Sequence, residues 1–297
     1  MARNANGRDE IPLAARSGFT EVIEELLDTR HEWSLARTAG EGNKVKSLAQ
    51  KSSNKTSDRE SVQEEIRATT RDGDTALHLA AASGHEETVK KLLEKVDEQT
   101  REAVNQRGET ALHIAAKSGF ARVVRSLIGN TTVNKATGKG NTALHLAAAS
   151  GHTEVVVEIL KNSSELPSSK NEAGDMALHL AAMNGHTEVI VKLLDVKNIS
   201  EMIAAKNKAG DMALHLATAN GYPEIVDKLL HVMKGSEVAT SKNKAGHTVL
   251  SKAIEAGQWE IAKMILEKIL KTKKPVDLGI LDFDKALIFG CPSKRIS

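Results

Sequence analysis

The chain has 297 residues, enough for one large domain, two ordinary ones or an extended array. It is 40% hydrophobic and 27% charged, and its formal net charge of +2 lacks the concentrated basic field that nucleic acid or an anionic membrane requires. Aromatic side chains make up only 2%, so a core must be filled by Leu, Ile, Val and Ala, which suits thin helical layers better than a thick globule.

In chain order, the opening "MARNANGRDE" has no apolar stretch of a secretory leader, and no later run approaches the roughly 20 apolar residues that cross a bilayer. The expectation is a soluble, cytoplasmic protein. Residues 1–27 contain a worn copy, "IPLAARSGFTEVIEELL" from Ile11 to Leu27, of a unit that recurs further on, and read as a degenerate N-terminal capping repeat. Residues 28–71 break the rhythm and read as an irregular polar insert. Within it "EWSLARTAGEGNKVKSLAQ" has the makings of a second degenerate helix pair, with Ala39, Gly42 and Asn43 echoing the repeat turn. "KSSNKTSDRESVQEE" has no apolar rhythm and reads as a loop. An insertion of this length on a rigid scaffold is either the seat of a distinctive activity or tolerated padding.

From 72 to 270 one unit repeats. Six copies begin at Gly73, Gly108, Gly140, Gly174, Gly210 and Gly246, at spacings of 35, 32, 34, 36 and 36 residues. In the first, "GDTALHLAAASGHEETVKKLL", a helix is predicted from about Thr75 to Ser83 with Leu77, Leu79 and Ala80 inward. Gly84 permits the positive φ that ends it. A second helix is predicted from about Glu86 to Glu94, with Val89, Leu92 and Leu93 at helical spacing. Helices this short are marginal alone, because about 12–15 residues are needed in water, so the copies must stack into a solenoid.

The pattern T-A-L-H-L-A-A-x-x-G-H-x-E-V-V-x-x-L-L resembles the ankyrin repeat, whose usual form is T-P-L-H-x-A-A at a period of about 33. The resemblance implies an all-α ankyrin-repeat solenoid of about six to seven stacked helix-turn-helix repeats with β-hairpin loops, a fold that binds other proteins. The proline of T-P-L-H is alanine here, or valine at Val249, which gives up its pre-set φ. Thr75, Thr110, Thr142 and Thr248 can cap the first helix, whereas Met176 and Met212 cannot. Asp175 and Asp211, one residue earlier, are placed to take over, which would shift those helix starts.

The histidine of T-A-L-H recurs as His78, His113, His145, His179 and His215, with Ser251 in the last copy. A residue repeated with the unit belongs to its architecture, and the resemblance implies that it bonds the helix start to neighbouring loops. Metal is argued against by geometry. Stacked repeats sit about 8–10 Å apart, far more than the roughly 2 Å of a zinc–nitrogen bond, and His179 and His186 are seven residues apart. "GKGNTA", Gly138 to Ala143, has the spacing of a dinucleotide fingerprint, but it falls in a repeat hairpin rather than after the strand of a βαβ unit. Glu24 and Glu25 read as a solvated face. No catalytic residue, cofactor or metal site is expected.

Two features are candidates for binding. "KNEAG", "KNKAG" and "KNKAG" begin at Lys170, Lys206 and Lys242, giving a ladder of Lys170, Lys206, Lys208, Lys242 and Lys244, with Lys135 and Lys139 nearby. It reads either as a basic edge for an acidic partner or as solvated lysine beside turn-forming asparagine. The two positions before each repeat glycine face the concave groove in the family. There Lys117, Met183, Asn184 and Asn220, with Tyr222 just beyond, are the expected contacts, although small residues at these positions also simply allow close packing.

Residues 271–297 leave the pattern after Pro275, and "LGILDFDKALIF" is suited to cap the last copy. The single cysteine, Cys291, excludes an intramolecular disulfide and lies in this tail without a histidine nearby. The expected function is a non-catalytic protein–protein interaction scaffold, binding one or more proteins through groove and hairpin tips. The alternatives are an effector that an intracellular bacterium delivers into a host cell, a modifying activity carried by residues 28–71, and a nucleic-acid role for the lysine edge. Scarce aromatics weigh against the last.

Overall fold

The computed structural model describes residues 10–24, 67–162, 166–196 and 199–271. They fall into two units, one running to Ala147 and including His152–Leu166, the other made of Ala148–Gly151 and the chain from Pro167 onward. Among the described residues regular structure is helical, with one isolated bridge, Lys242 to Thr248, and no strand.

The first unit holds α1 (Glu10–Ser17), a helical run over 20–24, α2 (Ala76–Ser83), α3 (Glu86–Lys95), α4 (Glu98–Arg101), α5 (Ala111–Ser118) and α6 (Ala121–Ile128). The division falls inside α7 (Ala143–Ser150), and α8 (Thr153–Asn162) returns to the first unit. In this unit α1 packs on α2 and α2 on α5, while α3 packs on α6 and α6 on α8. First helices therefore stack on first helices and second helices on second. The second unit repeats the scheme with α9 (Ala177–Asn184), α10 (Thr187–Leu194), α11 (Ile199–Ala204), α12 (Ala213–Ala219), α13 (Pro223–Val232), α14 (Gly235–Thr240), α15 (Val249–Glu255) and α16 (Trp259–Leu270). Here α9, α12 and α15 form one row, and α10, α13 and α16 the other.

The sequence explains both rows. "ALHLAA" has small or apolar side chains on almost every side, and α2 buries Ala76, Leu77, Ala80 and Ala81 between its neighbours. α3 is amphipathic instead, burying Val89, Leu92 and Leu93 while Lys90 and Glu94 face solvent. Each fully buried leucine contributes about 1.5–3 kcal/mol, and only stacking makes that burial available to helices of eight to ten residues. Gly84 ends α2 at φ +76°, its N–H donating to the Ala80 and Ala81 carbonyls.

Three expectations change. Leu79 is half-buried, and His78 takes the inward place instead. The hairpins are tight turns rather than strand pairs. Asn207 N–H donates to Asp211 O (3.0 Å) and Gly210 N–H to Asn207 O (2.9 Å), which closes the loop with no ladder beyond it. The helices after Met176 and Met212 are not shifted: α9 starts at Ala177 and α12 at Ala213, as α2 does after Thr75.

The helix pair expected within 28–71 falls on residues outside the described ones, as do Glu25, Cys291 and the tail beyond Lys271. α1 meets α2 directly, with Thr20 Oγ1 2.8 Å from Thr88 Oγ1, His85 Nε2 3.2 Å from Arg16 O, and Lys91 Nζ 2.8 Å from Glu24 Oε1.

Candidate partner-binding face

Thr75 precedes α2 in extended conformation, and its N–H donates to His78 Nδ1 at 3.2 Å. The ring's far side, Nε2, lies 3.0 Å from the Glu109 carbonyl one copy on. A backbone N–H can only donate and a carbonyl can only accept, so the ring is neutral with its proton on Nε2. The Thr75 hydroxyl, 2.8 Å from Nδ1, then donates too. His113 repeats this between Thr110 N (3.2 Å) and Lys135 O (3.0 Å). His179 does so between Met176 N (3.3 Å) and Asp211 O (3.2 Å). Nδ1 thus supplies the cap that methionine lacks, which is why the helix start stays in register. His215 accepts from Met212 N (3.3 Å), but its buried Nε2 makes no hydrogen bond. Burial holds His78, His113, His179 and His215 below the ordinary imidazole pKa.

The second histidine works backward. Nε2 of His85, His152 and His186 donates to the carbonyl of Arg16 (3.2 Å), Lys117 (2.9 Å) and Ala149 (3.0 Å), satisfying the end of the preceding first helix. Both histidines are therefore occupied in joining copies. Among the described residues no group of three or more His, Cys, Asp or Glu is placed to hold a metal ion, and no helix is long and apolar enough to cross a membrane.

Of the candidate contacts, Lys117, Asn184 and Asn220 are exposed at the ends of α5, α9 and α12, and Met183 is half-buried beside Asn184. Lys117 Nζ lies 3.7 Å from the mostly buried carboxylate of Glu109. Asn184 Nδ2 donates to Ala149 O and Asn220 Nδ2 to Leu216 O, each at 2.9 Å, leaving their carbonyl oxygens turned to neither. The half-buried Tyr222 ring lies over Gly185, so close that a methyl on that glycine would overlap it. The lysines form a row along the hairpins. Lys170 Nζ donates to Lys206 O (3.1 Å) and Lys206 Nζ to Lys242 O (2.7 Å), while Lys208 and Lys244 are exposed. Lys135, apart from the row, pairs with Glu102 at 3.2 Å.

Two connections escaped the sequence. Asn105, Asn207 and Asn243 donate their side-chain amides to Asp74, Asp175 and Asp211 at 2.9, 2.8 and 2.8 Å, tying each hairpin to the one before. The signal was present, as an Asp before the helix cap and an Asn one copy later. Arg125 grips the largely buried Glu158 through two nitrogens at 3.1 and 3.0 Å, a bond between second helices that single-copy periodicity does not reveal. This carboxylate is held below its usual range chiefly by Arg125.

These repeating layers define the class. A family model described as ankyrin repeats (3 copies) matches residues 11–136, 95–170, 122–203, 156–241 and 178–275, and the chain belongs to the ankyrin-repeat family. No curated protein matches it. Ankyrin repeats generally mediate protein–protein interaction.

Proposed function

We propose that the protein is a non-catalytic scaffold that binds a partner protein across the ends of its first helices and the adjacent hairpin tips, acting by occupancy: masking, tethering or competing. The observation that carries this reading is the contrast at one position. Two residues before the repeat glycine the helical frame recurs while the side chain changes from Lys117 to Met183 to Ala219, followed by Ser118, Asn184 and Asn220. A rigid frame bearing unlike, accessible groups is suited to recognition. The repeating histidines, by contrast, spend their ring nitrogens on backbone groups and are not poised for proton transfer. Tyr222 contributes the exposed part of a ring already seated on Gly185, and Lys170, Lys206, Lys208, Lys242 and Lys244 supply a cationic border that favours an acidic partner.

The test is capture of cytosolic proteins on the full chain and on Met183→Arg, followed by titration of each captured protein. The arginine variant is expected to keep its helix content and to lose the partner at least tenfold, because it places a charge where an apolar contact forms. Rising salt is expected to weaken what remains if the lysine border contributes. Undiminished binding of every partner to Met183→Arg refutes the groove assignment.

A further inference from the structure

The two ends of the repeat pattern are complementary. In every interior step the residue after a repeat glycine covers the glycine of the copy before. The His85 ring lies over Gly18, Phe120 over Gly84, His152 over Gly119 and Tyr222 over Gly185, each so close that a methyl on the glycine would overlap it. Between the first two copies a second contact accompanies this one. Thr20, two residues past its glycine, touches Thr88, four past the next glycine, at 2.8 Å.

At the first described copy the covering residue is Phe19, which lies over no glycine among the described residues and is 60% exposed. Val22, four residues past Gly18 as Thr88 is past Gly84, is 42% exposed, and Leu13 beside them 64%. At the last described copy the situation is inverted. Among the described residues nothing lies within 4 Å of where a Gly257 side chain would be, nor of where one on Gly246 would be, although the hairpin glycine Gly210 meets the next hairpin's Lys244 N. Trp259, two residues past Gly257 as Thr20 is past Gly18, is 45% exposed. In the hairpin before it, His247 stands where Asp211 accepts the next asparagine, and its buried Nδ1 has no partner.

From this register we infer that the chain self-associates head to tail, the first copy of one molecule stacking on the last copy of another, with Phe19 over Gly257 and Val22 against Trp259. The contact repeats the geometry the chain uses internally. It exchanges the threonine pair between the first two copies for an apolar pair, in keeping with the more apolar centre of an interface between molecules. The contact is heterologous, since one molecule gives its first face and the other its last.

Sedimentation velocity of the full chain from low to high micromolar concentration tests this, with Phe19→Asp and Trp259→Asp as variants. Each substitution puts an acid at a helix N-terminus, where it is tolerated. Phe19→Ser and Trp259→Gln repeat the experiment should either acid variant lose helix content. The wild type is expected to increase in average mass with concentration, and each variant alone to stay monomeric. An equimolar mixture of the two is expected to form a dimer and nothing larger, because one free first face then meets one free last face. A wild type that is monomeric throughout overturns the inference. So does a variant that self-associates like the wild type, or a mixture that stays monomeric.

Discussion

His78, His113 and His179 each hold two backbone groups from different copies, and they do so only as neutral rings, since a proton on Nδ1 would oppose the N–H already pointing at it. Burial keeps these rings, with His215, below the ordinary value of 6.5, which the unfolded chain recovers. Between the two values the unfolded chain binds more protons than the folded one. Their contribution is therefore complete above pH 6.5 and drains away as the pH falls below it, toward the folded values. The urea midpoint is expected to drop between about pH 7.5 and about pH 5.5, and His179→Gln, which cannot titrate there, to make that drop smaller. An unchanged midpoint over this range would show that the rings do not bear on stability.

At the level of the element, the hairpins are held by side chains as well as by their own turns. Asp211 receives the Asn243 amide at 2.8 Å, and the Lys244 N–H reaches back to Ala209 O at 3.0 Å. A double-mutant cycle with Asp211→Ala and Asn243→Ala is expected to give a coupling of about 1–2 kcal/mol, the range of a partly buried hydrogen bond to a charged group. A coupling near zero would show the pair to be incidental. The helices were legible because leucine, alanine and glycine recur at fixed offsets, whereas the starts after Met176 and Met212 were misplaced, because the histidine three residues on was not read as their cap. The Asp–Asn bonds were not, since both residue types are ordinary turn formers and their partnership spans a whole copy. Of the candidate contacts, the exposure of Lys117, Asn184 and Asn220 followed from position. The seating of Tyr222 on Gly185 and the bond from Lys170 to the next hairpin depend on the following copy, which no single stretch displays.

For the molecule as a whole, α1 docks directly on α2, a contact made without residues 28–66. Replacing those residues with a short Gly-Ser linker is expected to leave the urea midpoint and the helical circular dichroism per folded residue unchanged; a large loss of either would mean that the segment supports the array. The methionine-led helix starts carry a consequence of their own. When acid protonates a ring beside threonine, the hydroxyl 2.8 Å away can turn round and accept the new proton. Beside Met176 and Met212 no oxygen stands ready, and two like hydrogens are forced to confront each other. Acidification should therefore loosen the copies that begin at Met176 and Met212 before those sealed by threonine.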